Sequence, residues 1–89
     1  EEAERRNKLS PLRAAVAKWE QQLQRLASER AAVASQLEAP GIYSDAAREQ
    51  LKELLQRQAT LARETERAEA SWLESTEQLE ALTRQVASD

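Results

Sequence analysis

The sequence contains no cysteine and no histidine. Their absence excludes disulfide bonds, thiolate nucleophiles and imidazole bases, and it leaves metal binding to oxygen ligands alone. A single glycine among 89 residues also excludes the Gly-rich loops that hold nucleotide phosphates. We therefore expect no enzyme activity and no cofactor within this chain. No apolar run approaches the roughly 18 residues of a membrane span, which predicts a soluble, cytoplasmic protein without a membrane partner.

The composition is typical of long helices. Charged residues make up 33% of the chain and aromatic residues only 3%, a profile shared by coiled coils and by some disordered segments. A chain of 89 residues allows at most one domain with a small interior. Because it begins with a glutamate and not with Met, we interpret it as a piece of a longer polypeptide.

The spacing of apolar residues distinguishes helices from disorder. In the first half, large apolar residues recur every three or four positions, as in a heptad repeat interrupted only by Arg30. These residues are Leu9, Leu12, Val16, Trp19, Leu23, Leu26, Val33 and Leu37. A second and more polar series consists of Leu51, Leu54, Gln58, Leu61, Thr65, Ala68, Trp72, Ser75, Leu79, Leu82 and Val86. Disordered chains rarely keep such a phase over several heptads, so the pattern predicts two helices.

Turn-forming residues are concentrated between the two series. Pro40 disfavours helix at the residue before it, Gly41 permits the positive φ that ends helices, and Ser44 or Asp45 is suited to cap a second helix. A loop this short places the helices side by side and antiparallel. The sequence therefore predicts an all-α fold of two long helices in an antiparallel coiled-coil hairpin.

The predicted single domain, residues 1–89, has four parts. They are a lead-in segment 1–10, helix one 11–39, a turn 40–44 and helix two 45–87. Ser10 and Pro11 form an N-cap and first-turn pair, which favours a helix start at that point. The alternative is a helix that runs through Pro11 with a kink, because residues 1–9 are rich in helix formers.

The helix register follows from the centre of the turn. A turn centred on Ile42 places Leu12 opposite Trp72. The same register brings Glu29 near Arg57 and Arg13 near Glu69, and both pairs are attractive.

Charge is unevenly distributed along the chain, although the net charge is only −3. Residues 5–25 contain six basic residues against one glutamate, and residues 64–80 contain six glutamates against one arginine. One interpretation is that the two antiparallel segments neutralise each other. The other is that outward side chains of helix one contact nucleic-acid phosphate. The candidates for that contact are Arg6, Arg13, Lys18 and Arg25.

The turn itself offers a second candidate site. Ile42 and Tyr43 are apolar and stand at the tip of the predicted hairpin, where they could contact a partner. The alternative is that they fold back over the last core layer as a lid.

Two short motifs resemble a known family. Leu37, Tyr43, Ser44 and Asp45 around the turn, with Trp72–Glu74 late in helix two, resemble the C-terminal coiled-coil domain of ABC-F ATPases, most closely the YheS branch and its relative Uup. Many relatives have proline where Ala46 stands here.

The resemblance implies a role for the chain but no catalytic residue within it. ABC-F proteins bind ATP and Mg²⁺ in two cassettes, none of whose motifs occurs in this chain, and they act on the ribosome in translation. The resemblance implies a non-catalytic accessory arm that contacts the ribosome, RNA or DNA. The alternative function is a structural coiled coil that docks on the parent ATPase or dimerises through Leu79, Leu82 and Val86. We expect the chain to be a monomer rather than a dimer.

Overall fold

The computed structural model describes residues 2–88, except for the side chains of Glu2 and Arg5. Over this range the chain forms an all-α antiparallel helical hairpin with two long helices and no strand. The fold class predicted from the heptad spacing is confirmed.

The first helix is longer than the sequence predicted, and the second begins three residues later than predicted. Helix α1 spans Glu2–Leu37 and helix α2 spans Arg48–Ser88, and a short 3-10 turn, Asp45–Ala47, immediately precedes α2. The predicted start of the first helix at Pro11 is wrong, because Pro11 lies inside α1. The alternative of a helix that runs through Pro11 is therefore the correct one, and Ser10 is a helical residue and not an N-cap.

Residues 38–44 connect the helices, and Gly41 within them has the backbone conformation that the sequence predicted. Gly41 has a φ of 83°, which side chains disfavour and glycine adopts freely. The backbone N–H of Ser44 donates to the Gly41 carbonyl at 3.1 Å, and that of Ile42 donates to the Ala39 carbonyl at 3.3 Å. The Ser44 hydroxyl donates to the same Gly41 carbonyl at 2.7 Å and caps no helix N–H, so the predicted capping role of its side chain is wrong.

The chain divides into two compact units, each containing parts of both helices. We call Gln24–Arg67 the turn unit, and Glu1–Leu23 together with Ala68–Asp89 the end unit.

The turn unit has an apolar core drawn from both helices and the turn. Leu61 is completely buried and Leu26 is only 2% exposed, while the interrupting residues Arg30 and Gln58 are exposed. The hydroxyl of the buried Thr65 donates to the Leu61 carbonyl at 2.7 Å, which satisfies a polar group inside the core. The remaining buried apolar residues are Val33, Leu37, Ile42 and Leu54.

The end unit has a core with smaller buried residues. Leu9, Ala68 and Ser75 are buried, whereas Trp19 and Trp72 are half-buried. Small residues from α2 thus share this interior with two large aromatic rings.

The register predicted for the end unit is wrong. The Trp72 Nε1–H donates to a Glu20 carboxylate oxygen at 3.3 Å. If Leu12 lay opposite Trp72, Glu20 would stand about 12 Å further along the α1 axis, since a helix rises about 1.5 Å per residue. The tryptophan and glutamate side chains together cannot span that offset in addition to the separation of the helices, so α1 is shifted relative to the prediction.

Candidate nucleic-acid interface

The four basic residues predicted to contact phosphate are all exposed on α1. Arg6, Arg13 and Lys18 belong to the end unit, and Arg25 belongs to the turn unit. Arg6 and Arg13 are seven residues apart, which is close to two helical turns, so they project from the same side of α1 with a separation of about 10 Å along its axis.

Three of the four cations are available to an external anion. Among the described residues, Arg6 and Arg13 form no ion pair, and the predicted pairing of Arg13 with Glu69 is not formed. The Lys18 ammonium lies 5.2 Å from the centroid of the Trp19 ring, a cation–π contact that leaves its charge uncompensated. Among the described side chains, therefore, no ion pair supports the interpretation that the acidic part of α2 neutralises the basic residues within 6–18.

Arg25 is in a different electrostatic environment. Its Nη1 lies 2.6 Å from Glu29 Oε2, and the other oxygen of that carboxylate accepts a hydrogen bond from Arg57 Nη2 at 3.1 Å. The predicted proximity of Glu29 and Arg57 is thus confirmed. The contact of Glu29 with Arg25 was not predicted, although a spacing of four residues on a helix is the expected signal for such a pair.

The two residues predicted to contact a partner at the tip differ in exposure. Ile42 is only 4% exposed, so its predicted availability is wrong and it covers the core as a lid. Tyr43 is 71% exposed and remains accessible. The turn places these neighbouring side chains on opposite sides, one inward and one outward.

Two surface grooves of about 610 and 400 Å³ lie in the turn unit, the second formed largely by alanines of both helices. No group of three or more carboxylates is placed to hold a metal ion in the part of the chain that the structure describes. None of the helices described there combines the length and apolarity needed to cross a membrane.

Comparison with known proteins gives no match to this chain: no family model, no curated protein and no solved structure corresponds to it. The likeness of the turn and of Trp72–Glu74 to ABC-F proteins therefore stays a prediction from the sequence.

Proposed function

We propose that the chain is a non-catalytic helical arm that contacts the phosphate backbone of nucleic acid. The contact is made by three exposed cations of α1, Arg6 and Arg13 on one side of the helix and Lys18 about 120–140° around its axis, which together we call the basic surface. The observation that carries this proposal is that all three side chains are exposed and none forms an ion pair with a described residue. Arg25 is a weaker candidate, because the Glu29 carboxylate already engages its guanidinium.

The chemistry of the basic surface suits phosphate. Guanidinium groups such as those of Arg6 and Arg13 bind phosphate oxygens in a bidentate manner, and a lysine adds a point charge. Such contacts carry no sequence information, so we expect binding that depends little on base sequence. The net charge of −3 adds no long-range attraction for a polyanion. The interaction should therefore be local and sensitive to salt.

By resemblance alone, we place this arm in an ABC-F ATPase that acts on the ribosome. ATP and Mg²⁺ would then be bound by cassettes outside the residues described above, and ribosomal RNA would be the phosphate partner. A gene sequence that encodes Walker motifs immediately before Glu1 would support this assignment, and cosedimentation with ribosomes would test it directly.

The decisive experiment reverses the charge of the basic surface. If the basic surface contacts three phosphates, the affinity for a short RNA duplex should fall about 40-fold when the salt concentration is raised from about 50 to 200 mM. The variant Arg6→Glu, Arg13→Glu, Lys18→Glu should lose this binding in fluorescence anisotropy and keep its helical circular dichroism. Unchanged binding would reject the assignment to these residues.

A matched control separates local contact from overall charge. Lys52, Arg63 and Arg84 are three exposed cations of α2. Their reversal to glutamate changes the net charge by the same amount as reversal of the basic surface. We expect this control to reduce binding far less than the α1 variant. An equal loss in both variants would show that overall charge and not the basic surface determines binding.

A second function, a protein-interaction coiled coil, is favoured by one observation. The apolar residues near the end of α2 are incompletely covered: Leu79, Leu82 and Val86 are half-buried, and Leu73 is 52% exposed. Docking on a parent ATPase or dimerisation would cover them. Sedimentation equilibrium measures the molecular mass. A mass equal to that of the monomer over a wide range of concentrations would contradict dimerisation.

A further inference from the structure

Tyr43 is the most exposed large apolar residue of the described chain, at 71%. It stands in a turn whose geometry is fixed on both sides. The preceding Ile42 is buried in the core of the turn unit, and the following Ser44 bonds back to the Gly41 carbonyl through both its N–H and its hydroxyl. The phenol ring is thus presented to solvent by an ordered backbone, and little conformational freedom of the turn remains to be lost on binding.

The surroundings of Tyr43 are predominantly acidic. Residues 38–53 carry four exposed carboxylates, Glu38, Asp45, Glu49 and Glu53, against two exposed cations, Arg48 and Lys52. Arg48 Nη2 lies 3.2 Å from an Asp45 oxygen, yet the Asp45 side chain is 99% exposed, so its carboxylate remains open to other cations. This charge favours a cationic partner and opposes phosphate.

We propose that the Tyr43 turn is a docking surface for an arginine- or lysine-rich segment of a partner protein. A cationic side chain would lie over the face of the Tyr43 ring, where the ring quadrupole attracts it. Glu38 and Asp45 would pair with the neighbouring cations of the same segment. This site is separate from the basic surface, has the opposite charge and takes a different class of partner.

Nuclear magnetic resonance provides a direct test, since the chain has one tyrosine, no phenylalanine and no histidine. The Tyr43 ring signals therefore share the aromatic region only with two tryptophans. The probe is a short peptide of alternating arginine and glycine. We expect a saturable shift of the Tyr43 ring signals on titration. Tyr43→Ala should weaken binding about two- to fivefold, and Tyr43→Phe should retain it because the ring and not the hydroxyl attracts the cation.

The control variant is Leu55→Ala, which removes another exposed apolar side chain of the turn unit and should leave the affinity unchanged. Three results would overturn the proposal. One is an undiminished affinity of Tyr43→Ala with shifts of the tryptophan signals instead, as expected for non-specific attraction to the acidic part of α2. Another is the absence of saturable peptide binding. The third is a Tyr43 shift caused by an RNA duplex and not by the peptide, which would make the turn a nucleic-acid contact.

Discussion

Replacing Leu61 with alanine tests the packing of the two helices in the turn unit. Leu61 is 0% exposed, so its side chain is entirely surrounded by protein. Substitution of a buried leucine by alanine costs about 2–5 kcal/mol, the upper values applying where the surroundings cannot relax. A core built by only two helices and a turn can partly collapse. We therefore expect a loss of about 2–3 kcal/mol in the free energy of unfolding.

This loss is large relative to the stability expected for the whole chain. At about 0.05–0.15 kcal/mol per residue, a chain of 89 residues has a free energy of unfolding of roughly 4–13 kcal/mol. For a domain of this size each kcal/mol lowers the melting temperature by about 4–8 °C, so Leu61→Ala should lower it by about 8–24 °C. Urea titrations and thermal scans followed by circular dichroism would measure both quantities.

Leu55→Ala is the matched control for this experiment. Leu55 lies in the same helix and the same unit but is 48% exposed. The change in helix propensity is identical for the two substitutions, so the difference between them reports burial alone. We expect Leu55→Ala to cost less than about 1 kcal/mol. Equal losses for the two variants, or a loss below about 1 kcal/mol for Leu61→Ala, would refute the described core.

Two further predictions concern the turn and the charged cluster. A Cβ added at Gly41 would meet no atom within 4 Å, so Gly41→Ala should cost about 1–2 kcal/mol through its positive φ alone. Gly41→Asn should cost less in the same urea titration, because asparagine tolerates this conformation better. Glu29→Gln weakens the contacts with both Arg25 and Arg57. Since these side chains are partly exposed, we expect Glu29→Gln to lower the free energy of unfolding by less than about 1 kcal/mol, and by still less as salt is added. A decrease in the free energy of unfolding that is larger at high salt than at low salt would contradict this.

The sequence predicted the fold well because two independent signals agreed. The heptad spacing fixed the helical class, and Pro40 with Gly41 located the reversal of the chain. The helix start was missed because a proline preceded by serine is equally compatible with a first turn and with the interior of a longer helix, and local signals alone do not separate the two. Ser44 or Asp45 was expected to cap the second helix, but the Ser44 hydroxyl donates its hydrogen bond to the Gly41 carbonyl instead.

The candidate site was predicted less completely than the fold. The basic residues of α1 were correctly expected to be exposed, but Arg25 was not separated from the others, although its spacing of four residues from Glu29 on the helix signals their ion pair. Ile42 and Tyr43 were treated as equivalent, although consecutive residues of a turn point in different directions and only one of them reaches solvent. The register of the end unit depended on an assumed turn centre, and along a helix that rises about 1.5 Å per residue an error of a few residues there displaces facing side chains by several ångströms.

The two proposed surfaces can be tested independently because they lie in different units and carry opposite charge. Reversal of Arg6, Arg13 and Lys18 should abolish RNA binding while the arginine peptide still shifts the Tyr43 ring. Tyr43→Ala should weaken the peptide while RNA binding keeps its salt dependence. Loss of both activities in one variant would indicate damage to the hairpin and not loss of a site. Such a variant should also show the reduced urea stability expected for Leu61→Ala, so binding and stability measurements together distinguish a missing contact from an unfolded chain.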